Sequence, residues 1–121
     1  MIKINYLRPM LWTNQLIESI DFYVNVLGFT CDEFSEEWQW ASLQNEDISI
    51  MLAKPNAHMV FETPVFTGSL YFNVNNVEQL WNKLKDSCQV CYELEVFPWE
   101  MKEFAIYDNN GYLLQFGENL I

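Results

Sequence analysis

Residues 98–118 read PWEMKEFAIYDNNGYLLQFGE: a charged bend, an apolar run, a DNNG turn and a second apolar run with one amide, Gln115, in its middle. Apolar runs on either side of Asp108-Asn109-Asn110-Gly111 predict two strands, 102–108 and 112–117, joined as a hairpin. The same unit occurs earlier, where runs at 37–44 and 48–53 flank Asn45-Glu46-Asp47.

Working outward, each hairpin belongs to a larger pattern. Leu16, Ile20, Tyr23, Val24 and Leu27 fall on one helical face, with Asn14 placed to cap the start and Gly28 to stop it. Val77, Leu80, Trp81 and Leu84 repeat at helical spacing, and Asn76 with Gln79 has capping-box spacing. One apolar stretch precedes each helix and three follow it: 5–13, then 29–36, 37–44 and 48–53; and 68–74, then 89–96, 102–108 and 112–117. The chain therefore reads βαβββ twice, as modules of about 1–53 and 68–121 within one domain, with residues 54–67 as a linker.

Composition narrows the function classes. With 121 residues, half of them hydrophobic and 17% aromatic, the chain has enough apolar surface for one packed core and is not disordered. A formal charge of -11 repels a phosphate backbone or an anionic membrane and attracts cations, so neither nucleic acid nor membrane is an expected partner. The start, MIKINYLRPMLW, has no leader pattern, and no apolar run approaches a membrane span. Cys31, Cys88 and Cys91 are an odd number, which fits a reducing cytoplasm; Cys88 and Cys91 have Cys-x-x-Cys spacing, but no second pair exists and His58 is the single histidine. The cysteines are read as packing residues and His58 as a loop residue.

The βαβββ-βαβββ order, the stretch SIDFYVNVLGF at 19–29 and the 98–118 segment together resemble the vicinal oxygen chelate superfamily of glyoxalases, extradiol dioxygenases and bleomycin resistance proteins. Pro98-Trp99 before KEFAIYDNNG is most similar to the bleomycin resistance proteins. The resemblance implies an α+β fold in which two βαβββ modules form a cupped mixed sheet. Metal-using members carry four ligands on the first and last strands of each half, and the matching positions here are Arg8, Met51, Ser69 and Gln115. A cation, a thioether, a hydroxyl and an amide do not make a divalent-metal site, so no cofactor is expected. Gln115 either occupies a glutamate's seat without its charge or is a strand amide satisfied by a neighbour.

Without a metal, lyase and dioxygenase chemistry lose their Lewis acid, and no catalytic residue is assigned. Aromatic surface remains. Trp38 and Trp40 alternate with Gln39 and Ala41, which would aim both indoles to one side of their strand; Trp12 ends the first strand and Trp99 lies at a bend. Glu37, Glu100 and Glu103 accompany these rings. Aromatics on a sheet face are commonly core, but rings beside carboxylates also suit a pocket for a cationic aromatic molecule. The candidate ligand-binding set is Trp12, Glu37, Trp38, Trp40, Met51, Ser69, Trp99, Glu100, Glu103 and Gln115. The resemblance implies sequestration of an antibiotic or metabolite in a homodimer groove; the alternatives are an enzyme of the same superfamily with a non-standard site, or a binder of an unrelated metabolite.

Overall fold

The computed structural model describes residues 2–121, which form two compact units, the first ending at Glu62 and the second beginning at Thr63. In the first, β1 (Met10–Trp12), α1 (Leu16–Asp21), β2 (Thr30–Ser35), β3 (Trp40–Asn45) and β4 (Ile48–Ala53) build a four-stranded mixed sheet of order β1-β4-β3-β2. In the second, β5 (Leu70–Asn73), α2 (Val77–Leu84), β6 (Gln89–Phe97), β7 (Met101–Tyr107) and β8 (Leu113–Asn119) repeat that order as β5-β8-β7-β6. Each unit is thus a βαβββ module whose first strand pairs parallel with its last, while the remaining pairs are antiparallel. No helix among the described residues is long and apolar enough to cross a membrane.

Alternation explains the burial. In the first unit Ala41, Leu43, Ile50 and Leu52 share one face and are buried together with Leu16 and Tyr23 of the helical segment. In the second, Phe104, Ile106, Leu114 and Phe116 share the face packed by α2. Phe116 stacks on Phe72 at 5.1 Å and on Phe104 at 5.2 Å, and Trp81 of α2 tilts onto Phe104 at 5.1 Å. Each of the buried Leu, Ile and Phe side chains contributes roughly 1.5–3 kcal/mol of transfer free energy.

The helix ends differ from the sequence expectation. Asn14 does not cap α1; its amide donates to the Phe61 carbonyl at 3.3 Å, and Thr13 Oγ1 accepts the Gln15 N–H at 2.9 Å instead. After Asp21 the helix widens into a π-helical segment, Phe22–Val26, which ends at Gly28 with φ 83°. Asn76 makes no capping bond from its left-handed conformation at φ 57°, so the capping box is not formed; Glu118 Oε1, reaching over from β8, accepts the Val77 N–H at 3.0 Å.

Strand bounds shift for identifiable reasons. The stretch 5–13 contributes only Met10–Trp12, since Pro9 has no N–H to offer and presents its carbonyl to Met51 N at 2.8 Å. The run 37–44 becomes strand only at Trp40. Residues 36–39 form a turn in which Gln39 has φ 50° and Ser35 Oγ accepts the Trp38 N–H at 3.1 Å. The DNNG turn holds as a hairpin because Asp108 Oδ1 accepts the N–H groups of Asn110, Gly111 and Tyr112 at 2.8–2.9 Å. Residues between Ala53 and Leu70 carry no helix or strand.

Candidate functional site

In the second unit Lys102 is tied to Glu78 of α2 at 2.9 Å, and Phe104 meets Trp81 of the same helix. Glu103, between them, therefore points to the opposite sheet face. It is only 2% exposed. Its Oε1 accepts the indole N–H of Trp99 at 3.0 Å, and its Oε2 has no hydrogen-bond partner among the described residues. Trp99 lies flat on Phe97, centroids 4.8 Å apart and planes at 13°, and Phe97 in turn meets the edge of Tyr92 at 5.6 Å.

Gly117 pairs with Glu103 across β7 and β8. A Cβ at 117 would overlap the Tyr71 hydroxyl, so that hydroxyl lies over bare backbone. Burial first, then the approach and charge of Glu103, push the Tyr71 phenol well above its ordinary range; the approach falls short of a bond to Oε2.

The amide in the middle of β8 acquires a role here. Ser69 Oγ donates to Gln115 Oε1, and Gln115 Nε2 donates to the Tyr92 hydroxyl oxygen at 2.9 Å. Gln115 is thus satisfied by neighbours on both sides. Tyr92 is raised by burial, opposed by the Gln115 hydrogen bond and reinforced by the charge of Glu103. The first unit has its own, less polar counterpart: Trp40 Nε1 donates to Met51 Sδ at 3.3 Å, and Arg8 reaches Ser42 Oγ at 3.5 Å. Trp12 meets Phe61 edge-on at 6.0 Å.

Of the residues singled out in the sequence, three pairs come together: Trp40 with Met51, Ser69 with Gln115, and Trp99 with Glu103. Trp38 does not join Trp40 on a strand face; it sits in the 36–39 turn, 71% exposed, beside an exposed Glu37. Glu100 is exposed in the β6–β7 turn at φ 63°. The packing role read for the cysteines fails at Cys91, which is exposed on edge strand β6, where the ladder slips between Val90 and Tyr92. Tyr71, Tyr92, Phe97 and Gly117 went unread. Tyr71 and Gly117 stand two residues beyond Ser69 and Gln115, so the strand period alone would have placed them on the same face.

The four positions that hold metal in the resembled superfamily do not suit one here. Gln115 and Ser69 are engaged with each other, Met51 with Trp40, and Arg8 is itself a cation. Among the described residues no three His, Cys, Asp or Glu side chains converge.

Among curated proteins no sequence match is found. Solved structures share the fold. A protein of unknown function from Agrobacterium tumefaciens str. C58 superposes with TM-score 0.82 at 16% identity, covering 99% of this chain and 98% of its own. TioX from Micromonospora sp. ML1 gives 0.76 at 16% identity, covering 96% and 99%. A lactoylglutathione lyase from Agrobacterium tumefaciens gives 0.75 at 16% identity, covering 97% and 95%. At such identities the likeness is one of fold. The family model that matches residues 3–116 decides the membership: the chain belongs to the Glyoxalase/Bleomycin resistance protein/Dioxygenase superfamily.

Proposed function

We propose that the protein binds, and so sequesters, a small cationic molecule carrying a planar ring, in the manner of the bleomycin resistance members of its superfamily, without metal chemistry. The observation that carries this reading is Glu103: a carboxylate 2% exposed, with one oxygen held by Trp99 and the other without a hydrogen-bond partner among the described residues. A buried charge lacking a counter-charge costs stability, and a cation arriving at Oε2 relieves that cost. The stacked Phe97–Trp99 pair beside it offers π surface, Trp99 being 60% exposed. The net charge of -11 favours arrival of a cation. A homodimer belongs to the same reading, supported by the exposed apolar side chains of Ile2, Ile4, Tyr6 and Leu7; the free thiols suit a reducing cytoplasm.

The test is tryptophan fluorescence titrated with a bleomycin at low and high salt, repeated on Glu103→Gln, with sedimentation of the free protein alongside. Quenching that salt weakens and Glu103→Gln abolishes supports the reading. An unchanged spectrum in the wild type, or equal binding by Glu103→Gln, defeats it.

A further inference from the structure

The hydrogen bonds around Gln115 have a direction. A carbonyl oxygen only accepts, so Ser69 donates to Gln115 Oε1; an amide nitrogen only donates, so the Tyr92 oxygen accepts from Gln115 Nε2. The Tyr92 proton is left pointing away from Gln115, with no acceptor among the described residues. The register places it: Tyr92, Ala105, Gln115 and Tyr71 lie side by side across the sheet, and Glu103 with Gly117 forms the next row on the same face, roughly 7 Å along the strands. The charge of Glu103 is felt at Tyr92 across that step. One face therefore holds an acceptor out of contact with solvent and with no partner among the described residues, Glu103 Oε2, and an unused donor, the Tyr92 hydroxyl, beside the Phe97–Trp99 stack.

We infer that the ligand class is a cationic ring compound that also carries a carbonyl-type acceptor, such as a carboxamide: its N–H or ammonium meets Glu103 Oε2 and its carbonyl oxygen accepts from Tyr92. This rests on the cation-binding reading above and adds a specificity-determining residue to it. Gln115, by accepting from Ser69 and donating to Tyr92, is the positioning residue that turns the Tyr92 proton outward.

A matched pair of probes separates the two claims: benzylamine, a ring with an ammonium, and meta-(aminomethyl)benzamide, the same with an added carboxamide. Calorimetric titration of the full chain is expected to show the benzamide binding about five- to tenfold more tightly, the worth of one neutral hydrogen bond. Tyr92→Phe should bring the two probes to equal affinity. Gln115→Glu should do the same, because the new carboxylate accepts from both Ser69 and Tyr92 and draws the Tyr92 proton inward, although it strengthens binding of both cations. Equal affinities in the wild type, or a preference that survives Tyr92→Phe or Gln115→Glu, overturns this inference and leaves cation binding standing. If Glu103→Gln leaves both affinities unchanged, cation binding itself falls, and the inference with it. Should Tyr92→Phe fail to fold, Gln115→Glu decides the question alone.

Discussion

Trp99 and Glu103 meet through a single hydrogen bond, from the indole Nε1 to Oε1 at 3.0 Å, across the bend that joins β6 to β7. The indole fixes the carboxylate's orientation while neutralising none of its charge, and the second oxygen is buried with no hydrogen-bond partner among the described residues. A buried carboxylate oxygen in this setting is costly unless a donor reaches it.

Glu103→Gln removes that charge and keeps an acceptor for Trp99. Its unfolding free energy from urea titration is expected to equal or exceed that of the wild type, by up to about 2 kcal/mol, while cation binding is lost. A loss of more than about 2 kcal/mol would show that Glu103 is a structural residue.

Gly117→Ala places a methyl group where the Tyr71 hydroxyl lies. Tyr71 is 40% exposed, so its ring can swing outward rather than force the sheet apart. The expected cost is about 1 kcal/mol, with the Tyr71 phenol returning toward its ordinary titration range as it leaves Glu103. Tyr71→Ala in the same background should recover most of the loss, and a double-mutant cycle measures this.

Alkaline pH should destabilise the fold from a defined starting point. Burial raises both Tyr71 and Tyr92 above the ordinary phenol value of 10.0. As pH climbs past that value the unfolded chain releases these protons while the folded chain keeps them; the folded state then binds more protons and stability falls with pH. Urea midpoints should be insensitive to these groups below pH of about 10 and decline above it, with a shallower decline in Tyr71→Phe. A decline of unchanged steepness in that variant would assign the effect to other groups.

The α2 cap comes from far along the chain, Glu118 Oε1 accepting the Val77 N–H. Glu118→Ala should cost about 1 kcal/mol in thermal or urea unfolding, with Glu118→Gln recovering part of it. Asn76→Gly, which relieves a left-handed φ of 57° and removes no capping bond, should be neutral or slightly stabilising. Loss of stability in Asn76→Gly with none in Glu118→Ala would reverse this assignment.

Much of the module was legible because a strand buried on one face writes its period into the residues. The run 48–53 matches β4 end to end, and the strands expected at 102–108 and 112–117 match β7 and β8 to within one or two residues at each end. Capping was not legible, since Glu118 lies 41 positions from the N–H it caps while Asn76 advertised a local box. Trp38 was misplaced because its turn uses Gln39, not glycine or asparagine, at positive φ. Tyr92 and Phe97 escaped notice because β6 slips register twice, between Val90 and Tyr92 and between Tyr92 and Glu95, which destroys the period a reader would follow.

The parallel pairing of β5 with β8 also bears on the order of events in folding. Ser69 and Gln115 are 46 positions apart, whereas β7 and β8 are joined by the compact Asp108 turn. Loop-closure entropy delays the distant pairing until the local hairpins exist, so β5 docks late and the hydrogen-bonded row from Ser69 to Tyr92 closes with it. Contacts made after the transition state govern how fast a protein comes apart rather than how fast it forms. A molecule held at this row should therefore slow unfolding in proportion to its occupancy and leave the refolding rate of the free chain untouched, which makes the lifetime of the native state a direct reporter of the site.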